Sequence, residues 1–375
     1  MSHNKEIHIV SFNIPYPPNY GGVIDVFYKI RSLSKLGVKI HLHCFKYDRP
    51  ESQKLEKYCK SVNYYDRPKS LKFFFSELPF IVNTRSNIEL YNNLINDSFP
   101  IFFEGLHTTY FLKELLKKDR QIIVRSHNIE HDYYRALAKN ETNIFRKLFF
   151  LSEAKKLKRY EKILKSNISI AAITEKDLSY FKQLNKNSFL LPAFHPFNEL
   201  DIKTGIGDYI LYQGDLSVNE NIEAVTFIIK QIATQISYNF IIAGRNPHKR
   251  ITELIKKHKN VQLVSNPEHN IMTELIQNAH INLLLTSQST GIKLKLINAL
   301  YTGRYCIANN KMIDGTQLES LCSVKNSSDE IIKEIDILFN KSFSENNIFE
   351  RKQTLLKIVN NTENAQKLIN LLDKN

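Results

Sequence analysis

The sequence predicts an α/β protein of two doubly wound domains, each a parallel sheet covered by helices. Strand-like apolar runs alternate with helical patterns through both halves, which implies parallel strands joined by crossover helices. The alternation breaks once, at "LPAFHPFNELDIKTGIGDYI", where Pro192, Pro196, Gly205 and Gly207 mark a linker. The 375 residues also exceed the ~250–300 at which a single core stops growing. The expected division is a domain over 1–192, a linker over 193–207, a second domain over 208–350 and a helical tail over 351–375 able to pack back on the first domain.

The elements follow in order. "IHIVSF" (7–12) reads as a buried strand, and "NIPYPPNYGG" after it as a loop. A helix over 23–36 places Val23, Val26, Phe27, Ile30 and Leu33 on one face and closes at Gly37. "VKIHLHCF" (38–45), "FPIFFEG", "QIIVRSH" and "ISIAAIT" (168–174) complete the strands of the first half. Beyond the linker come "YILYQGDL" (209–216), "NFIIAG" (239–244), "VQLVS" (261–265), "INLLLTS" (281–287) and "RYCIANN", with helices from about 221, near 249–257 and near 270–279. From about 327 the chain reads as helices. Sheets of this kind bind ligands at the carboxyl ends of their strands, so two facing domains predict a site in the cleft they share.

Composition narrows the function. Lysine and arginine number 52 against 38 acidic residues, a net charge of +14, which suits phosphorylated ligands, nucleic acid or an anionic membrane surface. No RNA-binding signature or zinc-finger spacing accompanies that charge, so nucleic acid is not expected. Cys44, Cys59, Cys306 and Cys322 are scattered without a CxxC, so no metal site is expected, and Cys44 and Cys306 read as buried thiols. "MSHNKEIHIVSFNI" runs straight into a strand, and no apolar run approaches the ~18 residues of a spanning helix. A cytoplasmic chain is expected, or one lying on the membrane without crossing it.

The strand-end loops carry the chemistry. In "STGIKLKLINALYTG" a helix begins near Leu294, yet Lys293 and Lys295 occupy its entrance, behind Thr290 and Gly291. A helix start already carries partial positive charge and free amide donors, so lysines there suit an anion, best a phosphate or diphosphate. Gly214 ends the first strand of that half, and Arg245 follows Gly244 in a second loop, placed to clamp a phosphate. Neither GxGxxG nor GxxxxGK[ST] occurs, which argues against nicotinamide chemistry and ATP hydrolysis. In the first half, Gly21 and Gly22 let backbone approach a ligand closely. "RSHNIEHDYY" gathers His127, Asn128, Glu130 and His131 at a strand end, without the HExxH order of a metalloprotease. "KSLKFFFSELPFI" (69–81) and "RKLFFLSEAKKLKRYEKILK" (146–165) combine aromatic and basic residues, a pattern that fits docking on anionic lipid and equally an ordinary amphipathic helix with a solvated basic face.

In their order and spacing these motifs resemble the GT-B glycosyltransferases, in particular retaining family 4 and its bacterial branch with an HNxE motif. The resemblance covers nearly the whole chain: "PYPPNYGGVIDVFYKIRSLSKLGVKIHLHCF", "RSHNIEHDYYRAL", "YQGDLSVNENIEAV", "IAGRNP" and "TGIKLKLINALYTGRYCIANNKMIDG". It implies two Rossmann-like domains and a nucleotide-sugar held mainly by the second, at Gly214, Arg245, Thr290, Gly291, Lys293, Lys295 and Asn298. Gly21 and Gly22 then approach the donor from the first domain, His127 contacts the sugar, and Asn128 and Glu130 lie on the acceptor side. His127 and Lys295 are the expected catalytic residues. No cofactor and no metal is expected, because fixed positive groups replace the metal. The acceptor class is a glycan or a lipid-linked glycan in surface polysaccharide or glycoconjugate synthesis. Two features depart from the pattern. Thr290 and Asn298 stand where the family carries two glutamates, and Asp215 and Asn219 lie where an arginine–lysine pair is common. They leave open a second expectation, a GT-B binding or scaffold protein with weakened chemistry in a glycan assembly complex.

Overall fold

The computed structural model describes residues 5–68, 70–287 and 293–372. They form two compact units, one of residues up to 196 plus 359–372, the other of 197–287 plus 293–358.

The sheet of the first unit contains β1 (Glu6–Ser11), β2 (Lys39–Lys46), β3 (Ser61–Asp66), β4 (Ile101–Glu104), β5 (Ile122–Ser126), β6 (Ser169–Ala172) and β7 (Ser188–Leu190). All pairings are parallel, in the order β3-β2-β1-β4-β5-β6-β7. Alternate residues serve opposite faces. Ile9, Leu42, Phe102 and Ile123 enter one core, Val10, Phe45, Phe103 and Val124 the other. Both faces being covered explains why these strands read as unbroken apolar runs. Helix Gly21–Lys35 covers the first core with Val26, Phe27, Ile30 and Leu33, joined by Ala365, Leu368 and Ile369 of helix Asn361–Leu372. Each such aliphatic side chain contributes about 1.5–3 kcal/mol on full burial. The last helix is anchored by polar bonds as well: Asn361 Nδ2 donates to the His195 carbonyl at 2.7 Å, and the His195 amide donates to Asn361 Oδ1 at 3.2 Å.

The sheet of the second unit contains β8 (Tyr209–Asp215), β9 (Asn239–Arg245), β10 (Val261–Ser265), β11 (Ile281–Leu284), β12 (Tyr305–Ala308) and β13 (Ser323–Val324). These are again parallel, in the order β10-β9-β8-β11-β12-β13. Its core packs Ile210, Tyr212, Phe240, Ile242, Ile281 and Leu283 against Val225, Ile228 and Ile232. Helix Glu345–Ile358 belongs to this unit, where Arg351 donates to the carbonyls of Gly303 and Arg304, each at 2.6 Å.

Three strands have no counterpart in the sequence reading: β3, β7 and β13. All sit at sheet edges, where one neighbour suffices and no long apolar run is needed. β3 is mostly half-buried, and β7 and β13 span three and two residues.

Each strand order turns back once, between β1 and β4 in the first sheet and between β8 and β11 in the second. The carboxyl ends flanking these two points are where open α/β sheets take ligands. No described helix is long and apolar enough to cross a membrane.

β8 and β9 meet with Gly214 opposite Gly244. A methyl group on Gly244 would lie 1.8 Å from the Gly214 carbonyl oxygen, a backbone atom that cannot step aside. Gly244→Ala is therefore expected to destabilise the second unit by about 3 kcal/mol. Denaturant melts should show a lowered midpoint for that unit; a wild-type midpoint would contradict the close packing.

Candidate functional site

The first unit's carboxyl edge rests on a buried ionic network. Asp25 and Lys29 stand one turn apart on helix Gly21–Lys35, both fully buried, with Lys29 Nζ 3.4 Å from Asp25 Oδ2. Lys29 Nζ also donates to Glu104 Oε1 at 2.6 Å, at the end of β4. Arg125, at the end of β5, donates through Nε and Nη2 to the two oxygens of Asp25 at 3.1 and 3.2 Å. Its remaining contacts run to the carbonyls of Leu191 and Pro192, and the Phe194 amide donates to Asp25 Oδ1 at 2.7 Å. Burial alone would push the Asp25 carboxyl up, but the Arg125 and Lys29 charges outweigh it and hold it well below the usual range. At Glu104 burial is likewise outweighed, chiefly by Lys29.

Above this network stands His127. Its Nε2 lies 3.3 Å from Glu104 Oε2, without hydrogen-bond alignment, and among the described residues neither ring nitrogen has a hydrogen-bond partner. The Phe12 ring packs edge-on against His127, at 5.4 Å between centroids, and tilted on His107 at 5.8 Å. Gly22 makes room for that ring: a Cβ there would lie 2.7 Å from Phe12 Cζ. This gives the glycine pair a packing role, with Gly21 opening the helix. Asp25, Glu104 and His127 offer ligand atoms within 4.8 Å of one another. Two carboxylates already face two cations, Lys29 and Arg125, so a buried divalent ion would add charge with nothing to balance it.

Asn128 and Glu130 follow on the same edge. Glu130 is 3% exposed at the start of helix Glu130–Asn140, and among the described residues its Oε1 and Asn128 Oδ1 have no hydrogen-bond partner. Burial pushes the Glu130 carboxyl up to about 8, against Asn128 and with help from the Glu161 charge. It therefore carries a proton at neutral pH and presents a donor as well as an acceptor.

In the second unit the decisive side chain is Lys295. Helix Leu294–Thr302 begins one residue before it, with Lys293 as the non-helical N-cap whose carbonyl accepts from the Leu296 and Ile297 amides. Lys295 Nζ donates to the Leu285 carbonyl at 3.3 Å and to Asn221 Oδ1 at 3.4 Å, and sits 5.4 Å from the Tyr212 ring centroid. Leu285 follows β11 and Tyr212 lies in β8, so the ammonium stands where that strand order reverses. Among the described residues no carboxylate comes within ion-pair distance of it. Burial lowers its affinity for the proton, opposed at longer range by Glu220.

Gln213, next to Gly214 at the end of β8, is more than nine-tenths buried, and among the described residues its Nε2 has no hydrogen-bond partner. Arg245 ends β9 and is exposed. Asn298 stands in the following turn of the lysine helix, where its carbonyl and Oδ1 accept from Thr302 Oγ1 at 2.7 and 3.3 Å. Asp215 and Asn219 are engaged locally, Asp215 accepting from Ser217 and Asn219 donating to Glu223. Thr290 and Gly291 lie outside the described residues.

The sequence reading missed Asp25, Lys29, Glu104 and Gln213. A signal existed for the first two: acid and base four apart inside an apolar helix stripe, a spacing that puts them on one buried face. Gln213 closing a buried strand offered no comparable sign.

The two aromatic-basic stretches form one surface. Phe74 packs on Phe80 and Phe149, at 4.7 and 5.5 Å between ring centroids. Lys156 of helix Ile144–Tyr160 donates to the Phe74 carbonyl at 2.9 Å, and the Phe80 amide donates to Glu153 at 2.6 Å. Around that joint Phe75 is 90% exposed, Phe145 79% and Leu71 78%, with Ile144 and Leu148 more than half exposed. Lys155, Lys158, Arg159 and Lys162 are exposed further along. Lys69 lies outside the described residues.

Comparison with known proteins fits this architecture. A solved sucrose-phosphate synthase from Thermosynechococcus elongatus superposes over 98% of both chains with a TM-score of 0.71 at 13% identity. An E. coli trehalose-6-phosphate protein solved with UDP-2-fluoro glucose covers 99% of both chains at TM-score 0.64 and 11% identity. A variant of S. aureus TarM, solved with Fondaparinux, alpha-GlcNAc-glycerol and UDP, covers 99% of this chain and 100% of its own at TM-score 0.65 and 11% identity. This is the GT-B glycosyltransferase fold. Residues 207–341 match the family model Glycosyl transferases group 1, which places the Lys295 edge inside the matched region. An uncharacterized 44.6 kDa protein from the cps region of Klebsiella pneumoniae is 24% identical over 335 residues, 83% of this chain and 84% of its own.

The raised Glu130 carboxyl makes a prediction. A group whose folded pKa lies above its unfolded value contributes stability below the unfolded value, here 4.5, and loses it as pH rises through about 8. Glu130→Gln keeps the shape and removes the titration. It should raise Tm by roughly 4 °C at pH 8.5 and leave it unchanged at pH 4. A gain of equal size at both pH values would show that Glu130 is not titrating.

Proposed function

We propose that the chain is a retaining glycosyltransferase that moves a sugar from a nucleotide-sugar to a glycan or lipid-linked glycan acceptor, in surface polysaccharide or glycoconjugate synthesis. The supporting observation is Lys295: a largely buried ammonium without a carboxylate partner among the described residues, at the strand-order reversal of the unit that matches Glycosyl transferases group 1.

A donor diphosphate at this edge takes the Lys295 charge, a hydrogen bond from the Gln213 side-chain amide and hydrogen bonds from backbone amides that open the lysine helix. Charge builds on the leaving diphosphate as the glycosidic bond breaks, so donors already fixed there stabilise the transition state more than the ground state. The leaving phosphate takes the acceptor proton, which removes the need for a strong base. His127, held over Glu104, contacts the transferred sugar, and the protonated Glu130 hydrogen-bonds an acceptor hydroxyl. Fixed cations serve in place of a metal. One observation favours a second reading, a binding or scaffold protein in a glycan assembly complex. Asn298, in a position the resemblance gives to a glutamate, spends its acceptors on Thr302 of its own helix.

A thermal-shift panel of UDP-, GDP-, ADP- and CMP-sugars separates the two. At least one donor should raise the melting point and be hydrolysed slowly in the absence of acceptor. Lys295→Ala should cut that turnover ~10²-fold, and a chelator should leave the wild-type rate unchanged. No shift with any donor would favour the scaffold, and undiminished turnover in Lys295→Ala would remove the assigned role.

The protein is further proposed to work at the inner face of the plasma membrane, with the Leu71, Phe75 and Phe145 ridge entering the interface and the basic residues of helix Ile144–Tyr160 meeting anionic lipid. Co-sedimentation with vesicles containing anionic lipid should exceed that with neutral vesicles and fall with salt. It should drop several-fold in the paired variant Phe75→Ser, Phe145→Ser. Equal recovery on both vesicle types would contradict the assignment.

A further inference from the structure

The first unit holds a second cationic feature that the donor chemistry does not use. Arg85 is 5% exposed. Its Nε and Nη2 donate to the Phe12 carbonyl, just beyond β1, at 3.3 and 2.9 Å, and its Nη1 donates to the Ile81 carbonyl at 2.6 Å. Arg67, just beyond β3, is held beside it: Arg67 Nη2 donates to Thr84 Oγ1 at 2.6 Å, and its guanidinium lies 4.4 Å from the Tyr47 ring centroid. Among the described residues neither arginine has a carboxylate within ion-pair distance. A guanidinium carries five N–H donors, and Arg85 commits three of its own to carbonyls. Arg67 Nε is buried and has no hydrogen-bond partner among the described residues.

Two like charges held together without a counter-ion are costly. Burial, and then the Arg67 charge, lowers the Arg85 guanidinium to about 9. Glu130, the acid that feels the Arg85 charge, is protonated at neutral pH and does not neutralise it. Carbonyl hydrogen bonds satisfy donors but cancel no charge, and Asp48 acts on Arg67 only at longer range, from an exposed position. A chain keeps such an arrangement at low cost when a ligand supplies the missing anion.

The location fits a ligand. Phe12, to whose carbonyl Arg85 is tied, packs on His107 and His127 at the carboxyl edge of the same sheet. The charge fits as well: a phosphate monoester or diphosphate carries about −1.5 to −2 near pH 7 and accepts paired N–H donors from a guanidinium fork. We infer that Arg67 and Arg85 form an oxyanion subsite that takes a phosphate or diphosphate group of the acceptor. The assignment rests on the proposed glycosyl transfer for the word acceptor, and on geometry alone for the subsite.

The test uses the full chain in a Lys295→Ala background, which removes the other diphosphate site. Inorganic pyrophosphate is titrated calorimetrically into Lys295→Ala and into Lys295→Ala combined with Arg67→Gln. Arg67 is only partly buried, so its variant should fold, and circular dichroism checks that it does; Arg85→Gln is read only if it folds. The Lys295→Ala chain should bind pyrophosphate, and Arg67→Gln should weaken that binding at least tenfold, with Arg67→Lys intermediate. A parallel titration with geranyl diphosphate identifies the carrier: tighter binding than pyrophosphate points to a lipid-borne phosphate, equal binding to a soluble phosphorylated acceptor. No pyrophosphate binding by Lys295→Ala, or an affinity unchanged by Arg67→Gln, overturns the subsite. The donor panel is read separately, so either assignment can fail while the other stands.

Discussion

The arrangement of the first unit depends on four charges buried together: Asp25, Lys29, Glu104 and Arg125. They join a helix to the ends of β4 and β5 and to the backbone at Leu191, Pro192 and Phe194. Such a network contributes little net stability, because desolvating four ions costs several kcal/mol each before their attraction repays it. Removing one member is a different matter, since it strands an unpaired charge in the core. What the network supplies is a fixed geometry. It sets where β4 and β5 end, and with that the positions of Glu104, His127 and the residues that follow.

The second unit reaches a comparable end with less. There the Lys295 ammonium is fixed by a carbonyl, an amide oxygen and an aromatic ring, none of which cancels its charge. Lys29 faces carboxylates and is structural. Lys295 faces dipoles and keeps its charge available. That difference in partners, more than burial, separates a lysine that builds the fold from one suited to hold an anion. The Arg67–Arg85 pair meets the same criterion on the other sheet.

Much of the architecture was legible in the sequence because parallel strands covered on both faces must be apolar throughout. "IHIVSF", "VKIHLHCF" and "VQLVS" announced β1, β2 and β10 to within a residue or two. Edge strands β3, β7 and β13 gave no such signal, having one neighbour and little to bury. In the site, Lys295 was legible because a cation at a helix start opposes the dipole and needs a reason. The glycine pair was legible as a close approach, although Gly22 is seen to admit the Phe12 ring. The acid facing His127 was not legible. Glu104 comes from a strand distant in sequence, and only the strand order β1-β4-β5 brings it beside His127 and the helix carrying Asp25. Charge balance is likewise a property of neighbours in space, so the isolation of Arg85 could not be read from its position in the chain.

The central claim is that the Lys295 ammonium receives a nucleoside diphosphate. Lysine acylation footprinting read by mass spectrometry tests it without requiring turnover, an acceptor or a known sugar. With UDP, GDP, ADP and CDP supplied in turn, at least one should slow modification of Lys295 several-fold while surface lysines such as Lys155 react as before. Unchanged labelling of Lys295 under all four nucleotides would contradict the account.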